Sequence, residues 1–179
     1  MYLWIGLGIE QQEETKIRTY CKTINTGAVN EASFTLPQHI SLKASFETEK
    51  HQEIIAYLKS KYRNLEKFPL EVEGIQQLPG VIWLKIKETA TLRKMHNELN
   101  HELSERYAVG LTGYDGESFI FHSTLLFDPD NTVKVKELFN RMCGDRFYSK
   151  HILIDRLYFG TSPSGKAGTF TVVDDLELL

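Results

Sequence analysis

The sequence predicts an α+β fold, built as an internal duplication whose two lobes belong to one folding unit, and three observations predict it. Helical and strand periodicities alternate along the whole chain, with no linker or low-complexity segment between them. Two tetrads of one type, His39-Ile40-Ser41-Leu42 and His122-Ser123-Thr124-Leu125, stand 83 residues apart, nearly half of the 179-residue length. Around each tetrad the order helix, tetrad strand, helix, strand, strand recurs, over approximately residues 11–87 and 88–177. Residues 1–179 are therefore read as one domain, and 41% hydrophobic residues give it apolar surface enough for a core.

The elements follow in order. Residues 2–9 form a short apolar run that lacks a basic flank and meets Glu10 at once, which predicts a strand rather than a signal peptide. Residues 11–23 are polar, with Ile17, Tyr20 and Cys21 at helical spacing. A loop over 27–35 leads to the first tetrad strand, 38–46. Thr48 is placed to cap a helix running to about Arg63, whose apolar stripe is Ile54, Ile55, Leu58 and Tyr62. Residues 68–77 and 81–87, joined at Pro79-Gly80, predict a hairpin. Over 89–107, Leu92, Met95, Leu99 and Leu103 recur every three to four residues and predict a long helix. A glycine-containing loop then leads to the second tetrad strand, 118–127, which breaks at Asp128-Pro129-Asp130. Val133, Val135, Leu138, Phe139 and Met142 mark another helix, and strands at 149–159 and 169–173 bracket the final loop.

Charge narrows the partners. The formal net charge is −3, with 21 Lys and Arg against 24 Asp and Glu, so the chain is not a general polyanion binder. A small anionic ligand or the tip of an RNA remains open to it; DNA and membrane partners are not expected. Cys21 and Cys143 lie far apart, without a Cys-x-x-Cys or metal-like spacing, and read as reduced thiols of a cytoplasmic protein.

Side chains alternate faces along a strand, so the His39 imidazole and the Ser41 hydroxyl point the same way, as do His122 and Thr124. Each pair could grip one phosphate, and two such pairs facing each other would supply an acid and a base. Lys43 continues the His39–Ser41 alternation and is a candidate for a further phosphate or RNA-backbone contact; the matching position in the second half is Leu126. Tyr114 and Tyr158, in or beside loops near the tetrad strands, are candidates for stacking a base.

These residues carry a resemblance. The chain resembles the two-histidine (2H) phosphoesterase superfamily, whose members include bacterial 2′-5′ RNA ligase-like proteins and RNA 2′,3′-cyclic phosphodiesterases. The likeness spans essentially the whole length, and Ser41 stands where many relatives carry Thr, which keeps the hydroxyl. The resemblance implies a bilobal α+β fold with antiparallel sheets lining a central cleft and helices outside. It places His39 and Ser41 on one wall, His122 and Thr124 on the other.

The chemistry matches. Hydrolysing a cyclic phosphodiester requires water to lose a proton on one side of phosphorus and the leaving oxygen to gain one on the other. Histidine, with a pKa near about 6.5, does either near neutrality. The hydroxyls of Ser41 and Thr124 would donate to the non-bridging oxygens. No metal and no cofactor is called for. The expected substrate is a nucleotide or RNA terminus bearing a 2′,3′-cyclic phosphate or a 2′-5′ linkage; substrate identity, hydrolysis against ligation, the split of acid and base roles and oligomeric state stay open. The alternative is a non-catalytic RNA-end or nucleotide-binding module of the same fold. A metal hydrolase using His39 and His122 as ligands lacks an evident third ligand.

Other features are set aside. Residues 160–166 match Gly-x-x-x-x-Gly-Lys, but Ala167 follows where a P-loop needs Ser or Thr, and a hairpin loop is expected. His96 and His101, with Glu98 and Glu102, are expected on a solvated helix face. Neither cysteine has a neighbouring base to make it a nucleophile.

Overall fold

Every strand pair in the protein is antiparallel, and the pairing explains how one chain brings the two tetrads together. The computed structural model describes residues 1–179. In chain order the elements are β1 (Tyr2–Ile9), α1 (Gln11–Asn25), a 3-10 turn (Glu31–Phe34), β2 (His39–Glu47), α2 (His51–Tyr62), β3 (Phe68–Leu78), β4 (Val81–Ile86), α3 (Ala90–Tyr107), β5 (His122–Phe127), α4 (Thr132–Met142), β6 (His151–Ser162) and β7 (Thr171–Glu177). The strand order is β2-β1-β6-β3-β4-β5, with β7 also on β6. The first tetrad strand, β2, thus pairs with β1, which pairs with β6. The second, β5, pairs with β4 of the β3–β4 hairpin, which precedes it in sequence. No helix is long and apolar enough to cross a membrane.

Strand β1 shows how the faces divide. Leu3, Ile5, Leu7 and Ile9 enter the core, while Trp4, Gly6 and Gly8 take the opposite, cleft-side face. Behind the sheet, α3 packs on β2, α1 beside β5, and α4 on β3 and β4. Burying these apolar stripes against the strands is the main favourable term in folding. The hairpin turn needs its glycine: Gly80 has φ 79°, and a Cβ there would lie 2.6 Å from the Pro129 backbone.

Three boundaries differ from expectation or confirm it for a local reason. Thr89 caps α3 as its position suggests, accepting from the Leu92 amide at 3.1 Å. Thr48 instead accepts from the Lys50 amide at 3.0 Å, short of the helix, and α2 starts at His51. Strand β5 begins only at His122, because residues 118–121 are held otherwise: Arg93 donates to the carbonyls of Gly116 (2.7 Å) and Phe119 (2.8 Å), and the Phe119 ring stacks on His96 at 4.2 Å.

Both tetrad strands break their alternation at the same place. From His39 to Lys43 and from His122 to Leu126 the burial pattern is identical, with two successive buried residues after the hydroxyl. Register shifts in the β1–β2 and β4–β5 ladders mark these as β-bulges, which re-aim the side chain that follows. Lys43 is therefore turned into the core, 0% exposed, as is Leu126. This corrects the expectation that Lys43 faces the cleft: Ala44 takes that place and Lys43 contacts no ligand space.

The buried ammonium is paired. Lys43 Nζ lies 2.8 Å from Asp115 Oδ2 and donates to Asn100 Oδ1 at 2.7 Å and to the Gly110 carbonyl at 3.3 Å. Burial alone would raise the Asp115 carboxyl, but hydrogen bonds from Lys43 and from the amides of Thr112 and Ala44 hold it below its ordinary value. His96 is also core, 0% exposed, not on a solvated face. Its Nδ1–H donates to the Leu42 carbonyl at 2.6 Å and its Nε2 accepts from the Gly116 amide at 3.2 Å, an arrangement only a neutral imidazole can make. Together these bonds fasten the loop over residues 110–116 to the back of β2.

Removing one partner of such a pair leaves a charge buried. Asp115→Ala is expected to cost about 3–5 kcal/mol in urea denaturation. Lys43→Met should cost less, because the carboxylate keeps its other donors. Equal stability of Asp115→Ala and the parent protein would contradict the pair's structural role.

Candidate active site

The two tetrads meet across the cleft through a residue beside the first of them. Gln38 is buried, and its side-chain amide donates to Ser123 Oγ and to the Thr124 carbonyl, each at 2.7 Å. It thereby ties the start of β2 to the middle of β5. From the other side, Glu14 accepts from the Gln38 amide at 3.2 Å, and Arg18 donates to the carbonyls of Leu36 and Phe34. Helix α1 thus holds the segment leading into His39.

Each histidine sits in the same local frame. His39 Nδ1 lies 2.7 Å from the Pro37 carbonyl and His122 Nδ1 lies 2.8 Å from the Ile120 carbonyl, in both cases the carbonyl two residues earlier. A carbonyl only accepts, so Nδ1 carries the hydrogen and Nε2 is left with a lone pair. Each imidazole also packs against an indole from the adjacent strand: Trp4 on His39 and Trp83 on His122, both with ring centroids 4.2 Å apart. Trp4 fits because its neighbours have no side chain; a Cβ on Gly6 would fall 2.3 Å from its ring and one on Gly160 2.7 Å. Its indole N–H donates to Ser41 Oγ at 3.0 Å, which leaves the hydroxyl hydrogen for an acceptor in the cleft.

Burial disfavours the charged form of both imidazoles. Desolvation pushes His39 down to about 4 against the pull of its Pro37 carbonyl, and the charges of His122 and Arg18 lower it further. His122 is also lowered by burial, against the Ile120 carbonyl. Desolvation weighs more heavily on His39, so the first proton goes to His122.

Two cavities meet at Thr124 and Phe127. The larger, about 600 Å³, is entered past Ser41 and His122 and is walled by Trp83, Tyr114, Phe119 and Ile120. The smaller, about 190 Å³, lies by His39 against Leu36, Pro37 and Phe170. Tyr114 is 80% exposed on the larger cavity's rim, on the loop that Asp115 anchors. Tyr158 shares the cleft-side face, its ring over Gly8, but lines neither cavity. Residues 160–168 belong to the β6–β7 hairpin, where Ser162 Oγ accepts from the amides of Ser164 (3.2 Å) and Gly165 (2.9 Å), and this loop supplies Ala167 and Gly168 to the smaller cavity. No group of three or more His, Cys, Asp or Glu side chains is arranged to hold a metal ion.

Gln38, Trp4, Trp83, Glu14 and Arg18 escape sequence reasoning because their partners lie far along the chain. The glycines facing Trp4 in β1 and β6 are the one trace they leave.

Known proteins share this architecture. The 2′-5′ RNA ligase superfamily matches residues 28–164. The apo structure of E. coli LigT superposes with a TM-score of 0.63 at 13% identity, covering 99% of this chain and 96% of that one. TT0787 of Thermus thermophilus gives 0.64 at 16% identity, covering 99% and 97%. Usb1 of Kluyveromyces marxianus gives 0.52 at 12%, covering 99% and 98%. At such identities the likeness speaks for the fold. No curated protein matches the chain in sequence.

The imidazole titrations are directly measurable by NMR. His122 is expected to take a proton before His39, which should titrate near 4. Inorganic phosphate, as an anion between them, should raise both values. A His39 that titrates above His122 would refute the order.

Proposed function

The chain belongs to the 2′-5′ RNA ligase superfamily, whose members are phosphoesterase and ligase-type enzymes, and from that premise we propose a metal-independent phosphodiesterase. Its substrate is a 2′,3′-cyclic phosphate or related 2′-5′ phosphodiester of a nucleotide or RNA end, in the cytoplasm. One observation carries the proposal: two imidazoles in the same hydrogen-bonded frame, each followed by a hydroxyl on its cleft-facing side, on strands joined by Gln38. Solved structures of E. coli LigT with phosphate, 3′-AMP, ATP and NADP+ support nucleotide recognition by this architecture.

The environments suggest how the work divides. His39 Nε2, the less basic imidazole and neutral when His122 is charged, takes the proton of the attacking water. As the new P–O bond forms, the bond from phosphorus to the ribose oxygen breaks, and protonated His122 Nε2 delivers its proton to that oxygen. One proton enters His39 and one leaves His122, so a return transfer through solvent resets the site. Ser41 and Thr124 hydroxyls donate to the non-bridging oxygens, whose negative charge also favours the His122 imidazolium once substrate is bound.

His39→Ala and His122→Ala are each expected to lower kcat by about 10²–10⁴-fold, the usual worth of a positioned acid or base. Thr124→Ala should lower it by about 10²-fold. In the free protein the bell of kcat/KM lies on the acid side. Raising pH through the His122 value, which burial has moved below 6.5, removes the acid. Lowering pH through about 4 protonates His39 and removes the base. Steady-state assays over pH, with a chelator present throughout, check this; full activity in His122→Ala, or binding of every cyclic phosphate without turnover, would overturn the proposal.

A further inference from the structure

We infer that the cleft takes a phosphodiester of mononucleotide size, with one anionic phosphate and uncharged flanking groups, and does not grip the backbone of a longer RNA. The inference rests on the phosphodiesterase reading and narrows its substrate class. Its basis is the composition of the two cavities. Around the phosphate-facing set of His39, Ser41, His122 and Thr124, both linings consist of apolar, hydroxyl, amide and glycine positions, with no lysine, arginine or carboxylate.

Nearby cations are already spent. Lys85, opposite His122 in the β4–β5 register, pairs with Glu73 at 2.8 Å. Arg156, on the cleft-side face of β6, lies 3.0 Å from Asp155 and 3.7 Å from Asp175. Arg18 serves the carbonyls of Phe34 and Leu36, and Lys43 is sealed in the core with Asp115. Lys166, exposed in the β6–β7 hairpin beside Ala167, and Lys22, which borders the same edge of the smaller cavity at Ala32, Thr35, Ala167 and Gly168, are the nearby cations without an ion pair.

Each phosphate of an RNA strand that a protein neutralises needs a positive side chain, and such contacts dominate polynucleotide affinity. A neutral cleft in a chain of net charge −3 offers at most two, Lys166 and Lys22, both at the edge of the smaller cavity and neither in its lining. One phosphate, by contrast, is fully served by two imidazoles and two hydroxyls. The larger cavity, about 600 Å³ and mostly apolar, has the size and character of a small-molecule site and suits a nucleoside. The smaller, about 190 Å³, leaves room beside His39 for the attacking water or a small alcohol.

The chain's two tryptophans, Trp4 and Trp83, each touch a site imidazole, so their fluorescence reports binding at the site without requiring turnover. The test titrates the intact protein with 3′-AMP and with an RNA oligonucleotide ending in the same 3′-phosphate, across a salt series. The expected result is affinities within about threefold, a similar salt slope for both, and no change in either with Lys166→Ala or Lys22→Ala. An oligonucleotide that binds about tenfold or more tightly, with a salt slope steeper by about 0.7 per extra phosphate contacted, would overturn the inference. Turnover of adenosine 2′,3′-cyclic phosphate is followed separately: binding without hydrolysis sinks the phosphodiesterase reading and leaves the size inference standing.

Discussion

Placement of the site depends on the two-residue period of a strand, interrupted directly after the hydroxyl in each tetrad strand. While the period holds, His39 and Ser41, and His122 and Thr124, must share a face, and Ile40, Leu42, Ser123 and Leu125 must share the other. Ile40, Leu42 and Leu125 are buried, with Ser123 satisfied beside them by Gln38, so the histidines, Ser41 and Thr124 face the cleft. A one-residue slip would exchange the two sets and bury both imidazoles. The bulges that follow end the phosphate-facing set at two residues per strand and hand the next cleft positions to Ala44 and Phe127.

A bulge at the same place in each strand also explains the Lys43 network. Turned inward where the other half carries Leu126, the lysine must find partners, and it finds them in Asp115, Asn100 and the Gly110 carbonyl. Such a pair contributes little net stability compared with an apolar residue of similar size. Its consequence is positional: it clamps the loop that carries Tyr114 along the cleft, with His96 fastening the loop's far end at Gly116. This difference between the two tetrad strands lies behind the sheet, and it bears on the cleft through that loop.

What the sequence made legible was local and periodic. The tetrads and the stripe of α3 were readable because each is a pattern within a few residues. The Lys43 expectation failed because a bulge is one extra residue, and an alternation continued past it assigns the wrong face. Residues 118–121 looked like strand because Phe119 and Phe121 alternate with Ser118 and Ile120; those rings instead pack around His96, a residue 23 and 25 positions earlier. Gln38 was invisible for the same reason. Its partners are 85 and 86 residues away, and a glutamine before a strand histidine carries no pattern of its own.

Near-symmetry of the two walls raises a difficulty that electrostatics resolves. Two imidazoles in one frame have no intrinsic acid or base role, yet in-line displacement needs one of each. Burial keeps both neutral when the cleft is empty, so neither charge repels the other and the resting protein is not strained. In the proposed reaction the substrate phosphate would supply the missing anion and favour protonation, and the surroundings would decide where the proton goes. Desolvation weighs most on His39, and the charges of His122 and of Arg18, whose guanidinium is fixed by the Phe34 and Leu36 carbonyls, add to it, whereas His122 is lowered by burial alone. Desolvation, the largest of the effects on His39, therefore makes the first tetrad's histidine the harder one to charge, with the fixed Arg18 guanidinium adding to it, and in the proposed reaction that difference separates base from acid.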